Sequence, residues 1–445
     1  MTTVPETQYA KIDGDRIAYQ VFGEGDIDLL WVPASADCID LRWDWPPYEQ
    51  FLDWLGTRAR VIGFDRRGTG ASDPPSGASL PLWEQWADDV RAVLDAVGSG
   101  RAIVGGVTDS GPAAILFAAS HPSRCQGLIL VNTQACAEAG PDYPAGRSAE
   151  ETALMEQFLG DAWGTPVFTD FVFPDLAKRD PFFRRWFTKN QRLYLPPSIA
   201  TTRIAGQLVD VRESLEMVRV PTLVLHHDDW AIMPVENGRY LGEHIPGARL
   251  AIVPGTDGYI FTEPSTDALR ELDTFLGGLT AVVEPDRALA AVLFTDIVDS
   301  TQRASAMGDR QWRSLLETHD AVARTIVEQH RGRVVKMTGD GVLATFDGPG
   351  RAIRCALALG DALRPLGVEI RAGLHTGEVE VRDADIAGIG VHIAARVMNA
   401  AAPGDLLVSP AVPMLVAGSG IDFDDRGEHE LKGVPGTWRL YAVTK

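Results

Sequence analysis

The sequence predicts an α/β chain in two parts, an open and mostly parallel sheet followed by a smaller α/β unit. Three observations carry this. From Arg16 to about Gly278, short apolar runs alternate with helical patterns, and most runs are continuous Val/Leu/Ile stretches; such continuity marks strands buried on both faces. From Ala290 the pattern becomes strand, helix, hairpin, helix, strand. Between the two, Gly277-Gly278-Leu279 to Asp286-Arg287 reads as a linker, too short to let the parts move independently over long distances. The expected boundaries are 1–280 for the first domain, 281–289 for the linker and 290–445 for the second domain. A chain of 445 residues suits two or three domains.

In the first domain, Asp28 to Pro33, Arg60 to Asp65, Ala102 to Val107, Gly127 to Asn132, Thr222 to His227 and Arg249 to Pro254 read as strands. Between about Cys136 and Met217 the strand signal stops, and Ala149 to Asn190 is rich in Trp, Phe and Leu at helical spacings. This predicts a helical lid, about 137–217, over the carboxyl edge of the sheet, where open α/β folds place their sites. In the second domain, Ala290 to Val298 reads as a strand that delivers Asp296 at its end. Arg310 to His330 follows as a helix, with Trp312, Leu315, His319, Val322 and Ile326 at helical spacing. Gly332 to Met337 pairs with Val342 to Phe346 through a turn at Gly339-Asp340. A helix from Arg351 to Leu363, a strand from Val368 to His375 and a helix from about Ile389 to Ala400 complete a ferredoxin-like arrangement. Two carboxylates, Asp296 and Asp340, thus fall at the tips of neighbouring strands.

With 45% hydrophobic and 23% charged residues the composition is that of a globular protein. A formal net charge of −20 argues against general affinity for nucleic acid or an anionic membrane, since both reward clustered Lys and Arg. An anionic nucleotide would then need metal ions. The scattered Cys38, Cys125, Cys136 and Cys355 form no Cys-x-x-Cys pair, which fits a reducing cytoplasm. Met1 to Lys11 has no basic start before an apolar core, and the apolar stretch Ile103 to Ser120 is broken by Asp109, Gly111 and Pro112. No signal peptide or membrane span is expected, and the expected location is cytoplasmic.

Phe64-Asp65-Arg66-Arg67-Gly68-Thr69-Gly70-Ala71-Ser72-Asp73, and the strand, tight turn and helix read from Ala102 to Pro122, are the stretches by which the first domain resembles the α/β-hydrolases. The resemblance covers the whole domain and implies a nucleophile elbow of the form Gly-x-Ser-x-Gly. The chain offers Gly106-Val107-Thr108-Asp109-Ser110-Gly111-Pro112. Ungapped, the nucleophile position falls on Thr108; a one-residue shift puts Asp109 there, as in relatives with an Asp nucleophile. Thr, Asp and Ser equally serve to satisfy backbone groups in tight turns. Counting back from Pro234, the acid position falls on Trp230, with Asp228 and Asp229 beside it. The base position in Pro254-Gly255-Thr256-Asp257-Gly258-Tyr259 is Gly258. A hydroxyl without an imidazole to take its proton stays a weak alcohol. Thr108, Asp109, Asp229 and Gly258 are therefore expected to form a degenerate site without efficient hydrolysis, and a small apolar ligand is the expected partner.

In the second domain, Leu293-Phe294-Thr295-Asp296-Ile297-Val298-Asp299-Ser300-Thr301, Lys336-Met337-Thr338-Gly339-Asp340-Gly341, and Asp385, His392 and Arg396 together resemble the class III nucleotide cyclases. The resemblance runs to the closing strands at Asp405 to Ser409, Glu428 to Gly433 and Trp438 to Tyr441. It implies that Asp296 and Asp340 hold two divalent cations, Mg²⁺ or Mn²⁺, for which carboxylates are suited ligands. It implies that Lys336 and Asp385 read adenine, Lys donating to the ring N1 and Asp accepting from the 6-amino group, so that ATP is the substrate. Arg396 matches the arginine that stabilises charge on the pentavalent phosphorus. His392, at i to its i+4, stands where the family has an Asn that orients the ribose. In this family the metal aspartates of one site come from one subunit and its adenine and arginine residues from the other, which implies a homodimer.

The leading expectation is an adenylate cyclase whose hydrolase-like domain senses a ligand or stabilises the dimer. Two others remain open: an esterase-like hydrolase with a regulatory cyclase fold, and a nucleotide-binding signalling module without turnover.

Overall fold

The computed structural model describes residues 4–75, 82–198, 210–256, 259–261, 265–279, 287–382 and 385–444. The chain divides into two compact units, Met1–Pro285 and Asp286–Lys445.

In the first unit, strands β1 (Gln8–Ile12), β2 (Asp15–Phe22), β3 (Asp28–Val32), β4 (Arg60–Phe64), β5 (Ala102–Val107), β6 (Cys125–Val131), β7 (Thr222–His227) and β8 (Arg249–Val253) form one sheet in the order β1-β2-β4-β3-β5-β6-β7-β8. From β4 to β8 all neighbours are parallel. The hairpin β1–β2 adds an antiparallel edge that the sequence reading missed. Its turn is Asp13-Gly14, with φ of 52° and 94°, the two-residue geometry that suits the twist of a hairpin. Every residue of β5 and β7 is buried, as continuous apolar runs require. Helix α1 (Pro46–Gly56), α2 (Leu82–Ala96) and the almost wholly apolar α3 (Gly111–Ser120) precede the lid.

The lid consists of α4 (Ala149–Ala162), α5 (Pro166–Val172), α6 (Pro174–Arg179) and α7 (Pro181–Tyr194). Each start has a local cause. Ser148 and Glu151 form a capping box for α4, Thr165 caps α5, and Asp180 accepts from two backbone N–H groups at the start of α7. Prolines open α5, α6 and α7, where their missing N–H costs nothing. The lid is fastened to the body: Trp186 Nε1 donates to the Leu41 carbonyl at 2.8 Å, Trp45 Nε1 to Asp180 at 3.1 Å, and the Cys38 N–H to Asn190 Oδ1 at 3.0 Å. Helices α8 (Val235–His244) and α9 (Thr266–Gly278) complete the unit.

The second unit holds β9 (Arg287–Ile297), α10 (Ser300–Met307), α11 (Asp309–Gln329), β10 (Arg333–Met337), β11 (Val342–Phe346), α12 (Pro349–Leu363), β12 (Ile370–Arg382), β13 (Asp385–Ala387), α13 (Ile389–Ala400), β14 (Leu406–Val408), α14 (Ala411–Leu415), β15 (Asp422–Glu430) and β16 (Thr437–Thr444). The sheet order is β10-β11-β9-β12-β14-β16-β15, with β13 paired to β12. Two expectations are corrected. β9 begins at Arg287, so 287–289, expected in the linker, are strand; residues 281–286 lie outside the described residues. β12 runs past His375 to Arg382, because Arg287 to Ile297 and β13 offer it antiparallel partners over that length. The alternation Thr376, Glu378, Glu380 hid this extension.

One close approach positions the site. A Cβ on Gly373 of β12 would run into the backbone of Met398, so a glycine lets α13 lie directly on the strand.

Candidate active site

Asp296 lies next to last in β9, and Asp340 lies in the turn of the β10–β11 hairpin. The two are tied through the backbone, because the Ile297 N–H donates to the Asp340 carbonyl at 2.9 Å. The hairpin can approach this closely because Gly341 has no side chain; a Cβ there would strike the Thr295 carbonyl. Asp340 Oδ2 accepts from the Ser300 hydroxyl at 2.5 Å at the start of α10. Asp296 Oδ2 takes a forked pair of bonds from Arg371 on the adjacent strand, Nη2 at 2.6 Å and Nε at 3.0 Å. Asp299, in the left-handed region at φ 56°, turns the chain from strand to helix, a conformation Asp tolerates better than most residues.

The oxygen-only donor set of Asp296 and Asp340, half-buried at a strand tip, fits a hard divalent cation. No cluster of three or more His, Cys, Asp or Glu suited to a metal occurs among the described residues. Arg371 balances the charge of Asp296.

Lys336 projects from β10 and Asp385 opens β13, and these strands run close together. Asp385 is exposed and accepts from the following N–H, that of Ile386, at 2.8 Å. His392 and Arg396 share a face of α13; Arg396 Nε donates to the Lys432 carbonyl at 2.9 Å. Lys336 and His392 are exposed and have no side-chain hydrogen bond or ion pair among the described residues. Behind this surface, His375 is buried, hydrogen-bonded to the Ser409 hydroxyl at 2.8 Å and edge-on to Trp438. Burial pushes its pKa down to about 4.

In the first unit, Thr108 has φ 49° directly after β5. A β-branched residue in the left-handed region is strained, and this strain marks Thr108, not Asp109, as the elbow residue. Asp109 follows it. Its Oδ1 accepts from the Ser35 N–H at 2.9 Å and from the Thr108 hydroxyl at 3.0 Å, while Oδ2 accepts from the Ser35 hydroxyl at 3.0 Å and from Arg66 at 3.2 Å. Arg66 is buried, lies 4.1 Å above the Trp86 ring and donates to the Tyr194 hydroxyl. Tyr259 donates to the Ser35 carbonyl at 3.0 Å; burial, then the Asp109 charge, raises its pKa well above the usual phenol range.

Asp229 is exposed, its N–H donates to the Gly255 carbonyl, and it is not among the described residues that line the cavity with Thr108. Trp230 is buried and faces the elbow across a cavity of about 160 Å³. Gly258 lies outside the described residues. The cavity floor is Ser35, Thr108, Asp109 and Tyr259, and its walls include Leu159, Trp163, Phe168 and Val172 from the lid.

The family described as the adenylate and guanylate cyclase catalytic domain matches residues 283–445, and the α/β hydrolase fold family matches residues 42–264. The chain belongs to both families, one in each unit. A Rhizobium meliloti (strain 1021) protein provisionally named adenylate cyclase 3 is 34% identical over 157 residues, 33% of this chain and 27% of that protein. A Caulobacter sp. (strain K31) protein provisionally named a carbamate hydrolase is 29% identical over 62% of this chain and 100% of its own length. An uncharacterized protein of Mycobacterium tuberculosis is 36% identical over 60% of this chain and 71% of its own. Among solved structures, bromoperoxidase from Bacillus anthracis has a TM-score of 0.52 at 21% identity and covers 61% of this chain and 100% of that one. A hydrolase from Pseudomonas aeruginosa PA01 has a TM-score of 0.51 at 24% identity over 61% of this chain and 99% of that one. These two show the fold of the first unit.

For this cyclase–hydrolase fusion, sequence reading missed Arg371 and Ser300 in the cyclase unit and Ser35 and Arg66 in the hydrolase unit. Arg66 sits in a motif that was noticed as a turn only. Arg371 and Ser35 reach their partners across 75 and 74 residues, and their neighbours in sequence carry no signal. No described helix is long and apolar enough to cross a membrane.

Proposed function

We propose that the cyclase unit converts ATP into 3′,5′-cyclic AMP and pyrophosphate, at a site that a second copy of the chain completes. The observation that supports this is the bond from Ile297 N–H to the Asp340 carbonyl, which ties the hairpin turn bearing Asp340 to the end of the strand bearing Asp296. Mg²⁺ or Mn²⁺, bound there, would supply charge to stabilise the attacking and leaving oxygens. Lys336 donates to adenine N1 and Asp385 accepts from the 6-amino group; guanine presents the reverse pattern at those atoms. Arg396 supplies a fixed positive charge in a planar fork for the phosphoryl oxygens. The exposed His392 places a ring N–H one helical turn from it, where the ribose is to be held. Lys336 and His392 have no side-chain hydrogen bond or ion pair among the described residues, as suits groups that meet a ligand or a second copy. The hydrolase unit is proposed to sense a small apolar ligand rather than to hydrolyse.

The test measures cyclic AMP made from ATP with Mn²⁺ or Mg²⁺ by the full chain. Asp296→Ala and Arg396→Ala are each expected to lose more than about 99% of activity, a loss of at least about 2.7 kcal/mol in transition-state stabilisation. Mixed in equal amounts, they are expected to recover about a quarter of it, because half of the dimers are mixed and each of these has one complete site. No recovery from the mixture, with wild-type subunits that exchange freely, counts against the shared site.

A further inference from the structure

A hydrolase stabilises the oxyanion of its substrate with two backbone N–H groups, one from the residue after the nucleophile and one from the loop that follows its third strand. In the first unit the residue after the elbow is Asp109, and the loop after β3 supplies Ser35. The Ser35 N–H and hydroxyl already donate to the Asp109 carboxylate, at 2.9 and 3.0 Å. We infer that Asp109 fills the oxyanion hole from within, and that the cavity is a receptor site for an aliphatic molecule ending in a hydrogen-bond donor, an alcohol or amine, rather than for an ester or a carboxylate. This rests on the reading of the first unit as a sensor of apolar ligands, and it adds which head group the site takes.

The charges support the choice of head group. Asp109 keeps 21% of its side chain exposed and lines the cavity. Arg66, its counter-ion, is only 1% exposed and stacks on Trp86, so it balances the carboxylate from behind. A ligand in the cavity therefore meets the apolar walls of Leu159, Trp163 and Trp230 and then a carboxylate whose acceptor sites are taken by Ser35, Thr108 and Arg66, so its head group binds by displacing the rotatable Thr108 or Ser35 hydroxyl. An alcohol or ammonium donates to it, whereas a carboxylate is repelled.

The same arrangement disables hydrolysis. The Thr108 hydroxyl donates to Asp109, so attack by Thr108 would deliver its proton to the group that occupies the oxyanion position. An ester carbonyl could not then reach the Ser35 N–H. Arg147, on the lid side of the cavity, is the one cation among its described lining residues; it donates to the Ile232 carbonyl at 3.4 Å, and burial lowers its pKa. A ligand held by Arg147 instead would show the opposite preference.

The experiment titrates the full-length protein with 1-octanol, octylamine and octanoate, following calorimetric heat and tryptophan fluorescence, since Trp163 and Trp230 line the cavity. The alcohol and the amine are expected to bind roughly tenfold or more tightly than octanoate, and Asp109→Asn is expected to shrink that gap to within about threefold. The wild-type comparison stands alone if the variant does not fold. Octanoate binding as tightly as the others overturns the head-group inference and leaves an apolar site whose head is read by Arg147. Binding of none of the three overturns the sensor reading with it. Release of p-nitrophenol from p-nitrophenyl butyrate, abolished by Thr108→Val, overturns the filled oxyanion hole.

Discussion

At the scale of single residues, burial decides more than sequence context does. His375 is embedded behind the cyclase surface and held neutral, its pKa pushed down to about 4, against about 6.5 in an unfolded chain. The unfolded state therefore takes up a proton that the folded state refuses, and stability falls as the pH drops from about 6.5 toward 4. At pH 5 this group alone is expected to cost about 2 kcal/mol relative to pH 7.5. The difference in urea midpoint between those two pH values should be smaller in His375→Gln; an unchanged difference would mean that another group causes it. That His392 and Arg396 share one helical face was legible in the sequence, because their i, i+4 spacing falls within a short, well-bounded helix. Arg371 was not, since its bond to Asp296 depends on the β9–β12 register, which pairs the two residues directly. No local pattern encodes a pairing of that range.

At the scale of elements, α13 matched its expected span from Ile389 to Ala400, because apolar residues at helical spacing follow a glycine. β12 was read short, since its second half alternates polar and apolar side chains while pairing with β9 as far as Glu380 and with β13 from there to Arg382. These two elements meet at Gly373. Gly373→Ala should push α13 from the strand at Met398, next to the turn that bears Arg396. We expect a stability loss of about 1–3 kcal/mol from overpacking and a fall in kcat of roughly 10²-fold from displacement of the arginine. Unchanged kcat in a cyclic AMP assay would show that Arg396 is positioned by other contacts. The lid of the first unit was legible from its aromatic residues, yet the hairpin at Asp13-Gly14 was not read, although Asp-Gly between two strands is a strong turn signal.

At the scale of the whole molecule, each unit buries a core of its own, one built around Trp31, Phe187 and Leu225 and the other around Leu293, Phe346 and Leu374. A ligand that binds only the folded state of its unit stabilises that unit by mass action. A non-hydrolysable ATP analogue with Mn²⁺, at a hundred times its Kd, should stabilise the cyclase unit by about 2.7 kcal/mol. Hydrogen exchange should report this as slowed exchange in β9, β11 and β12. Slowing confined to residues 4–279 would place the nucleotide in the other unit. The net charge of −20 was informative at this scale: the carboxylates that give the molecule its sign include the pair proposed to recruit the cations.

Asp109 also bears on whether the first unit could regain an ancestral chemistry. Serine at position 108 and histidine at position 258 would rebuild a nucleophile and a base on paper, but the Ser35 N–H would still be engaged by the neighbouring carboxylate. Removing that carboxylate first would leave the buried Arg66 without its counter-charge. On the sensor reading proposed above, each single step back is either silent or harmful, so a loss of hydrolysis would work as a ratchet and leave the pocket free to drift in what it recognises.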